Sequence, residues 1–302
     1  MTLTSAINEF IVDQRVRGNS EATITHYAYM LGKFDGYSGF INVSDVTLQL
    51  CREYYLHLAE RMDNSVSIQT YIRALRAFLR WCYDNDYLAV NICDKFRLPK
   101  ATRKVIDVLA DDEVLRLLDT VAGEGWIQVR NRLIVSLMLD CGLRLHEVVT
   151  LTCDSIHLTD RYLIVQQGKG DKQRVVPFGE ATARTLSTYL VLTGHLKRRP
   201  LLIKCSQVKI DYEPVTDNTV KQLFKKLSRR CSIERLHPHL LRHTFATRYL
   251  ENGGNIYSLQ AILGHTSLEM VKRYLHLATT RIKRDFPRYS PLDNIKKASH
   301  FE

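Results

Sequence analysis

The residues of this chain best equipped to handle a phosphate fall into four short stretches. In "CGLRLHEVVTL" (141–151), Arg144 and Glu147 are three apart, so on a helix they share a face and the acid can hold the guanidinium. The same pair also fits an ordinary surface ion pair. In "GKG", Lys169 sits between Gly168 and Gly170, which let a loop approach another backbone closely. A solvated hairpin tip has the same composition, and Lys172 is the nearest rival to Lys169. In "HPHLLRHTFAT" (237–247), Pro238 suits a first helical turn. His239 and Arg242 then fall on one face, with Leu240, Leu241 and Phe245 available for a core. In "LGHTSLEMVKRYLH" (263–276), Gly264-His265 makes a turn before a helix carrying Tyr274. That helix has a core face through Val271, Leu275 and Ala278. Tyr274 aligns beside it with Met270 and Leu277, so periodicity alone makes it a packing residue.

The chemistry open to such a set is narrow. Neither a GxxxxGK[ST] loop nor a GxGxxG fingerprint is present, so nucleotide hydrolysis and dinucleotide cofactors have no handle. Two-metal phosphoryl transfer requires a carboxylate cluster, and the acids here lie mainly at helix starts and on solvent-type faces. No cofactor and no metal are expected, and side-chain cations must neutralise any phosphate. A tyrosine hydroxyl, with a pKa of about 10, is largely protonated at neutral pH. Two guanidiniums near the phosphorus would stabilise both the attacking phenolate and the pentavalent transition state. A tyrosyl phosphodiester keeps the energy of the bond it replaces, so such an exchange is reversible without ATP.

The whole-chain balance agrees. The formal charge of +11 over 302 residues suits a polyanionic partner, nucleic acid before an acidic membrane surface. Between residues 221 and 248, eight basic side chains face the single acid Glu234. Of these, Lys221, Lys225, Arg229 and Arg230 are expected to contact nucleic-acid phosphates. A second basic cluster, Lys95, Arg97, Lys100, Arg103 and Lys104, surrounds Pro99. Seven scattered cysteines without a CxxC pair suggest reduced thiols. The polar start lacks a signal-peptide core, and no run of about 20 apolar residues could span a membrane. A cytoplasmic protein is expected.

The elements that must position these residues divide in two. Residues 1–94 read as a bundle of about four helices, with Ser20 as a cap and Ile24, Tyr27 and Leu31 on one face. Residues 95–106 form the basic linker. Residues 107–302 mix types: helices at "ADDEVLRLLDTV" and "WIQVRNRLIVSLMLDCG", a hairpin at "RYLIVQQGKGDKQRVVPFG", then helices from about Glu180 nearly to the end, with a tail from about 279.

Taken in order, "GLRLHE", "GKGDKQR", "HPHLLRHTFAT" and "LGHTSLEMVKRYLH" resemble the signature of the tyrosine recombinases, or phage integrase family, over residues 107–277. "TITHYAYMLGKF" and "TYIRALRAFLRWC" resemble that family's N-terminal domain more weakly. The resemblance implies a mainly α fold with a small β-sheet or hairpin. An N-terminal core-binding, SAM-like bundle would precede a mixed α/β catalytic domain of the DNA breaking-rejoining type. It implies a site-specific recombinase, integrase-like or Xer-like, working through a 3′-phosphotyrosyl intermediate without metal or ATP. It assigns Arg144 and Arg242 to the scissile phosphate and Lys169 to protonation of the leaving 5′ oxygen. His239 becomes an acid/base residue, His265 a phosphate or hydroxyl partner, Tyr274 the nucleophile, and Glu147 a supporting residue. His237 and His243 fall outside the pattern and are expected to be structural or to touch DNA.

The implied partners are double-stranded DNA and three further copies in a homotetramer on synapsed DNA. The free chain would be monomeric or weakly associated, without membrane contact, in the bacterial cytosol or nucleoid. The tail, residues 283–302, is long enough to dock on a neighbouring subunit. Two rivals stand beside this expectation. A type IB topoisomerase shares the chemistry, and a DNA-binding regulator could use the same scaffold.

Overall fold

A computed structural model describes residues 1–97, 107–167, 172–194, 200–205, 210–264, 267–268, 271 and 274. The chain divides into two compact units, Met1–Lys104 and Val105–Glu302.

The first unit is helical: α1 (Leu3–Val16), α2 (Glu21–Ser38), α3 (Leu48–Arg61), α4 (Ser65–Asp84) and the short α5 (Ile92–Lys95). Each of the long helices opens on a side-chain cap that satisfies a free N–H, from Thr2, Ser20, Thr47 and Asn64 respectively. Helix α4 is the axis, burying Ile68, Ile72, Leu75, Phe78, Leu79 and Trp81 on one stripe. Phe10 of α1 meets Phe78 and Trp81 of α4 edge-on, with ring centroids 5.7 and 5.6 Å apart. Phe96 is buried in this same core.

The second unit contains α6 (Asp111–Thr120), α7 (Trp126–Leu139), α8 (Leu145–Thr150), β1 (Ile156–His157), β2 (Tyr162–Gln167), β3 (Lys172–Pro177), α9 (Glu180–Thr193), β4 (Ile203–Cys205), β5 (Ile210–Pro214), α10 (Asp217–Arg230), α11 (Pro238–Glu251) and α12 (Ile256–Leu263). β1, β2 and β3 form an antiparallel sheet in sequence order, and β4 pairs antiparallel with β5. The second pair corrects the expectation of helices throughout from Glu180. These strands are short, and an apolar run such as Leu201-Leu202-Ile203 looks the same in a helix and a strand. Helix α7 is apolar on most sides because it lies inside, packed against α8, α9 and α11. Cys51, Cys82, Cys93, Cys141, Cys153 and Cys231 are free and buried. Among the described residues no helix is long and apolar enough to cross a membrane.

Candidate active site

The site is built around α11. His237 caps this helix, its side chain accepting from the Leu240 N–H, and Pro238 occupies the first turn. Leu240, Leu241, Thr244, Phe245, Ala246 and Thr247 are all buried, so α11 is enclosed on most of its circumference. Arg242 therefore points into protein, with only 5% of the residue exposed.

A buried guanidinium needs its donors satisfied. Arg242 donates to the carbonyls of Gly142 and, at 2.8 Å, Leu263. These carbonyls belong to the turn before α8 and to the end of α12. Gly142 adopts φ +63°, a left-handed turn that brings its backbone against α11.

Arg144 differs from the expected helix-face pair. It precedes the first turn of α8 in extended backbone, as the cap residue. The Glu147 carboxylate accepts from the Arg144 backbone N–H at 2.7 Å and from its guanidinium at 2.8 Å. The carboxylate thus fixes both the helix start and the arginine side chain, leaving that side chain 36% exposed.

Arg174 on β3 completes the cluster; it closes the "GKGDKQR" stretch, in which the glycine-flanked Lys169 draws the attention. Arg174 donates from Nε to the Ile262 carbonyl at 2.7 Å and from both Nη atoms to Glu147. Its signal was available in the strand period. Gln173 and Val175 are exposed whereas Arg174 and Val176 are buried, so a cation occupies a core-facing position. Glu147 is consequently shared by Arg144 and Arg174, with Arg242 Nη1 3.9 Å away.

The charges feel one another. Burial pushes the Glu147 carboxyl up, but the hydrogen bonds and charge of Arg174, with those of Arg144, outweigh it and hold the group at about 2. Burial first, then the neighbouring Arg144, push Arg242 down to about 10. His239 is exposed at the rim, yet crowding of its ring by protein, followed by the proximity of His237, Arg242 and Arg144, lowers its pKa below 6.5.

Tyr274 reaches this cluster and is only 4% exposed within the second unit's core. Its hydroxyl lies 2.7 Å from His243 Nδ1, on the residue after Arg242. Arg144, Glu147, His239, Arg242 and Tyr274 are thus brought into one neighbourhood. Lys169 and His265 lie outside the described residues, and Lys172 opens strand β3. His237 has a structural role as cap, and His243 touches the tyrosine.

The other basic residues lie elsewhere. Lys221, Lys225, Arg229 and Arg230 are exposed on α10, whose opposite stripe buries Val220, Phe224 and Leu227. In the first unit, Lys95 and Arg97 line a pocket together with Arg52, Tyr55 and Phe96. Lys100, Arg103 and Lys104, and the tail from 279, lie outside the described residues. Among the described residues no group of three or more His, Cys, Asp or Glu is arranged to hold a metal ion.

Residues 107–281 match the phage integrase family, and residues 2–98 match the phage integrase SAM-like domain. Tyrosine recombinase XerD of Staphylococcus aureus is 30% identical over 91% of this chain and 94% of its own length. Tyrosine recombinase XerC of Lacticaseibacillus casei is 29% identical over 92% and 95%. In fold, the chain is similar to the Tn1549 transposon integrase solved with transposon right end DNA. That match has a TM-score of 0.76 at 20% identity, covering 94% of this chain and 99% of that one. A lambda integrase dimer bound to a COC′ core site gives 0.73 at 19% identity, covering 89% and 97%. Matched in both units and along nine-tenths of its relatives' length, this chain belongs to the phage integrase family and is a tyrosine site-specific recombinase.

Proposed function

We propose that this recombinase cuts and rejoins duplex DNA through a covalent bond between Tyr274 and a 3′-phosphate. The observation that carries this is the convergence of Arg144, Arg242 and Tyr274 from separate parts of the chain. Arg242 is tied to the Gly142 carbonyl two residues before Arg144, and Tyr274 is bonded to the neighbour of Arg242.

In this scheme Arg144 and Arg242 receive the non-bridging oxygens of the scissile phosphate. Tyr274 Oη gives up its proton, for which His239 is the proposed acceptor, and attacks phosphorus. The bond to the 5′ oxygen breaks, and the leaving oxygen takes a proton, for which Lys169 is the proposed donor. Rejoining reverses these steps with a 5′-hydroxyl from the exchanged strand. Arg242 needs no reorganisation to stabilise developing charge, because the carbonyls of Gly142 and Leu263 already hold it. His239, held neutral at pH 7, is proposed to pass protons at the rim. His265 would contact the phosphate or a hydroxyl.

The exposed cations of α10, the Lys95–Arg97 pocket and the basic run to Lys104 are proposed contacts to DNA phosphates. None of Lys221, Lys225, Arg229 and Arg230 makes an ion pair among the described residues, whereas Arg235 and Arg248 of the same basic run do. A lambda integrase tetramer has been solved on a Holliday junction. By analogy a homotetramer on synapsed DNA is proposed here, acting in the cytoplasm, with the tail as a docking segment.

A nicked suicide duplex tests the chemistry. The protein should give an SDS-stable adduct, in EDTA as well as in buffer. Tyr274→Phe should give none while still binding the duplex. Binding without adduct in the natural chain would instead leave a DNA-binding regulator. Equal cleavage across unrelated sequences would leave a topoisomerase.

A further inference from the structure

The four-stretch signature accounts for Tyr274 but leaves His243 without a task. The structure gives it a specific contact, Nδ1 to the Tyr274 hydroxyl at 2.7 Å. The two rings are tilted by 46° with centroids 5.8 Å apart, so they meet through the polar atoms and do not stack. His243 is half-buried and Tyr274 is buried, so the hydrogen bond lies away from bulk water.

The position of His243 is what makes this contact consequential. It follows Arg242 on α11, a helix whose neighbouring residues Thr244, Phe245 and Ala246 are all packed inside. Arg242 is itself pinned to Gly142 and Leu263. One helical step separates the two side chains, so a hydroxyl held by His243 is fixed relative to the guanidinium assigned to the phosphate. The chain carrying Tyr274 gains a second point of registration beyond the burial of Val271 and the tyrosine ring.

We infer that His243 is a positioning residue for the nucleophile, holding the Tyr274 hydroxyl beside Arg242 through its Nδ1 atom. This rests on the assignment of Tyr274 as the nucleophile. Packing alone would be served by the ring of His243. Positioning requires a polar atom where Nδ1 stands.

The two demands separate in substitution. His243→Phe keeps a flat ring and loses the polar atom. His243→Asn keeps a polar side-chain atom near the place of Nδ1 and loses most of the ring. With full-length protein and nicked suicide duplex, single-turnover adduct formation at saturating DNA should fall on the order of tenfold to a hundredfold in His243→Phe. The Kd for the duplex should stay within about twofold, and His243→Asn should recover most of the rate. Thermal melting identifies any variant that fails to fold. If only His243→Phe folds, its rate decides as stated. If only His243→Asn folds, a rate within a few-fold of wild type supports positioning, whereas a loss on the order of tenfold or more overturns it. A wild-type rate in His243→Phe, or a rate in His243→Asn no better than that of a slow His243→Phe, would overturn the inference. Tyr274→Phe, run alongside, keeps the two roles apart. If it still forms the adduct, the nucleophile assignment fails. If it does not and His243→Phe is unimpaired, only the role of His243 fails.

Discussion

Arg174 and Glu147 meet fork to fork, Nη1 lying 3.0 Å from Oε1 and Nη2 2.8 Å from Oε2, with 6% and 11% of the two side chains exposed. The pair joins β3 to α8 and sets the carboxylate that in turn holds Arg144. A buried pair of this kind adds little net stability when made but is expensive to break. Arg174→Leu should therefore destabilise the second unit by about 3–5 kcal/mol. The two tryptophans, Trp81 and Trp126, lie one in each unit. Urea unfolding in a Trp81→Phe background, followed by Trp126 fluorescence, checks it.

Glu147 also makes stability depend on acidity in a defined window. Its folded value of about 2 lies below the ordinary 4.5, because Arg174 and Arg144 outweigh the effect of burial. The unfolded chain then binds the proton more readily than the folded one. Its contribution is complete above 4.5 and is lost as pH falls towards 2. Glu147→Gln should flatten the fall in melting temperature across this interval, measured against the natural chain. Glu113, held at about 2 mainly by Arg235, contributes in the same sense and should be left unaltered by that substitution.

Gly142 carries two constraints at once. Its φ of +63° disfavours any side chain, and an added Cβ would overlap the buried Phe245 ring and come within 3.0 Å of Leu263 Cδ2. Gly142→Ala should destabilise by about 2–4 kcal/mol, lowering the melting temperature by roughly 5–15 °C. Its carbonyl is a partner of Arg242, so adduct formation by the surviving folded fraction should fall as well.

His239 should change protonation when DNA arrives. Crowding of its ring, then His237, Arg242 and Arg144, holds its pKa below 6.5, so the free protein carries it neutral at pH 7. A phosphate placed among these cations cancels part of the repulsion and raises that value. Binding between pH 6 and 7 should take up a fraction of a proton. Calorimetry in buffers of different ionisation enthalpy would show it, and His239→Gln should abolish it.

Much of this arrangement can be read from the chain, for reasons particular residues make plain. Ser20 and Pro238 announce helix starts because their chemistry matches the free N–H groups there. The hairpin is legible because "YLIVQQ" and "KQRVVP" flank a glycine-bearing loop. The Arg144–Glu147 pair is visible in its spacing, but its form is not. Nothing in the spacing distinguishes a shared helix face from a carboxylate turned back on the N–H of a cap residue. Contacts such as Arg174 with Ile262, 88 residues apart, and His243 with Tyr274, 31 apart, depend on packing that no local pattern encodes. Strands β4 and β5 escape because they are too short to show a period.

The anchors of the buried arginines have a consequence for how such a site can change over time. Arg242 and Arg174 end on the main-chain oxygens of Gly142, Leu263 and Ile262. A carbonyl is present whatever side chain its residue bears, so replacing Ile262 or Leu263 with another apolar residue leaves the anchor standing. What must be inherited is the route of the chain: the left-handed turn at Gly142 before α8 and the matching one at Gly264 after α12. At Ile262 and Leu263 sequence drift is therefore free in letters and restricted in path, whereas the Glu147 carboxylate that Arg174 also holds must be kept as a side chain.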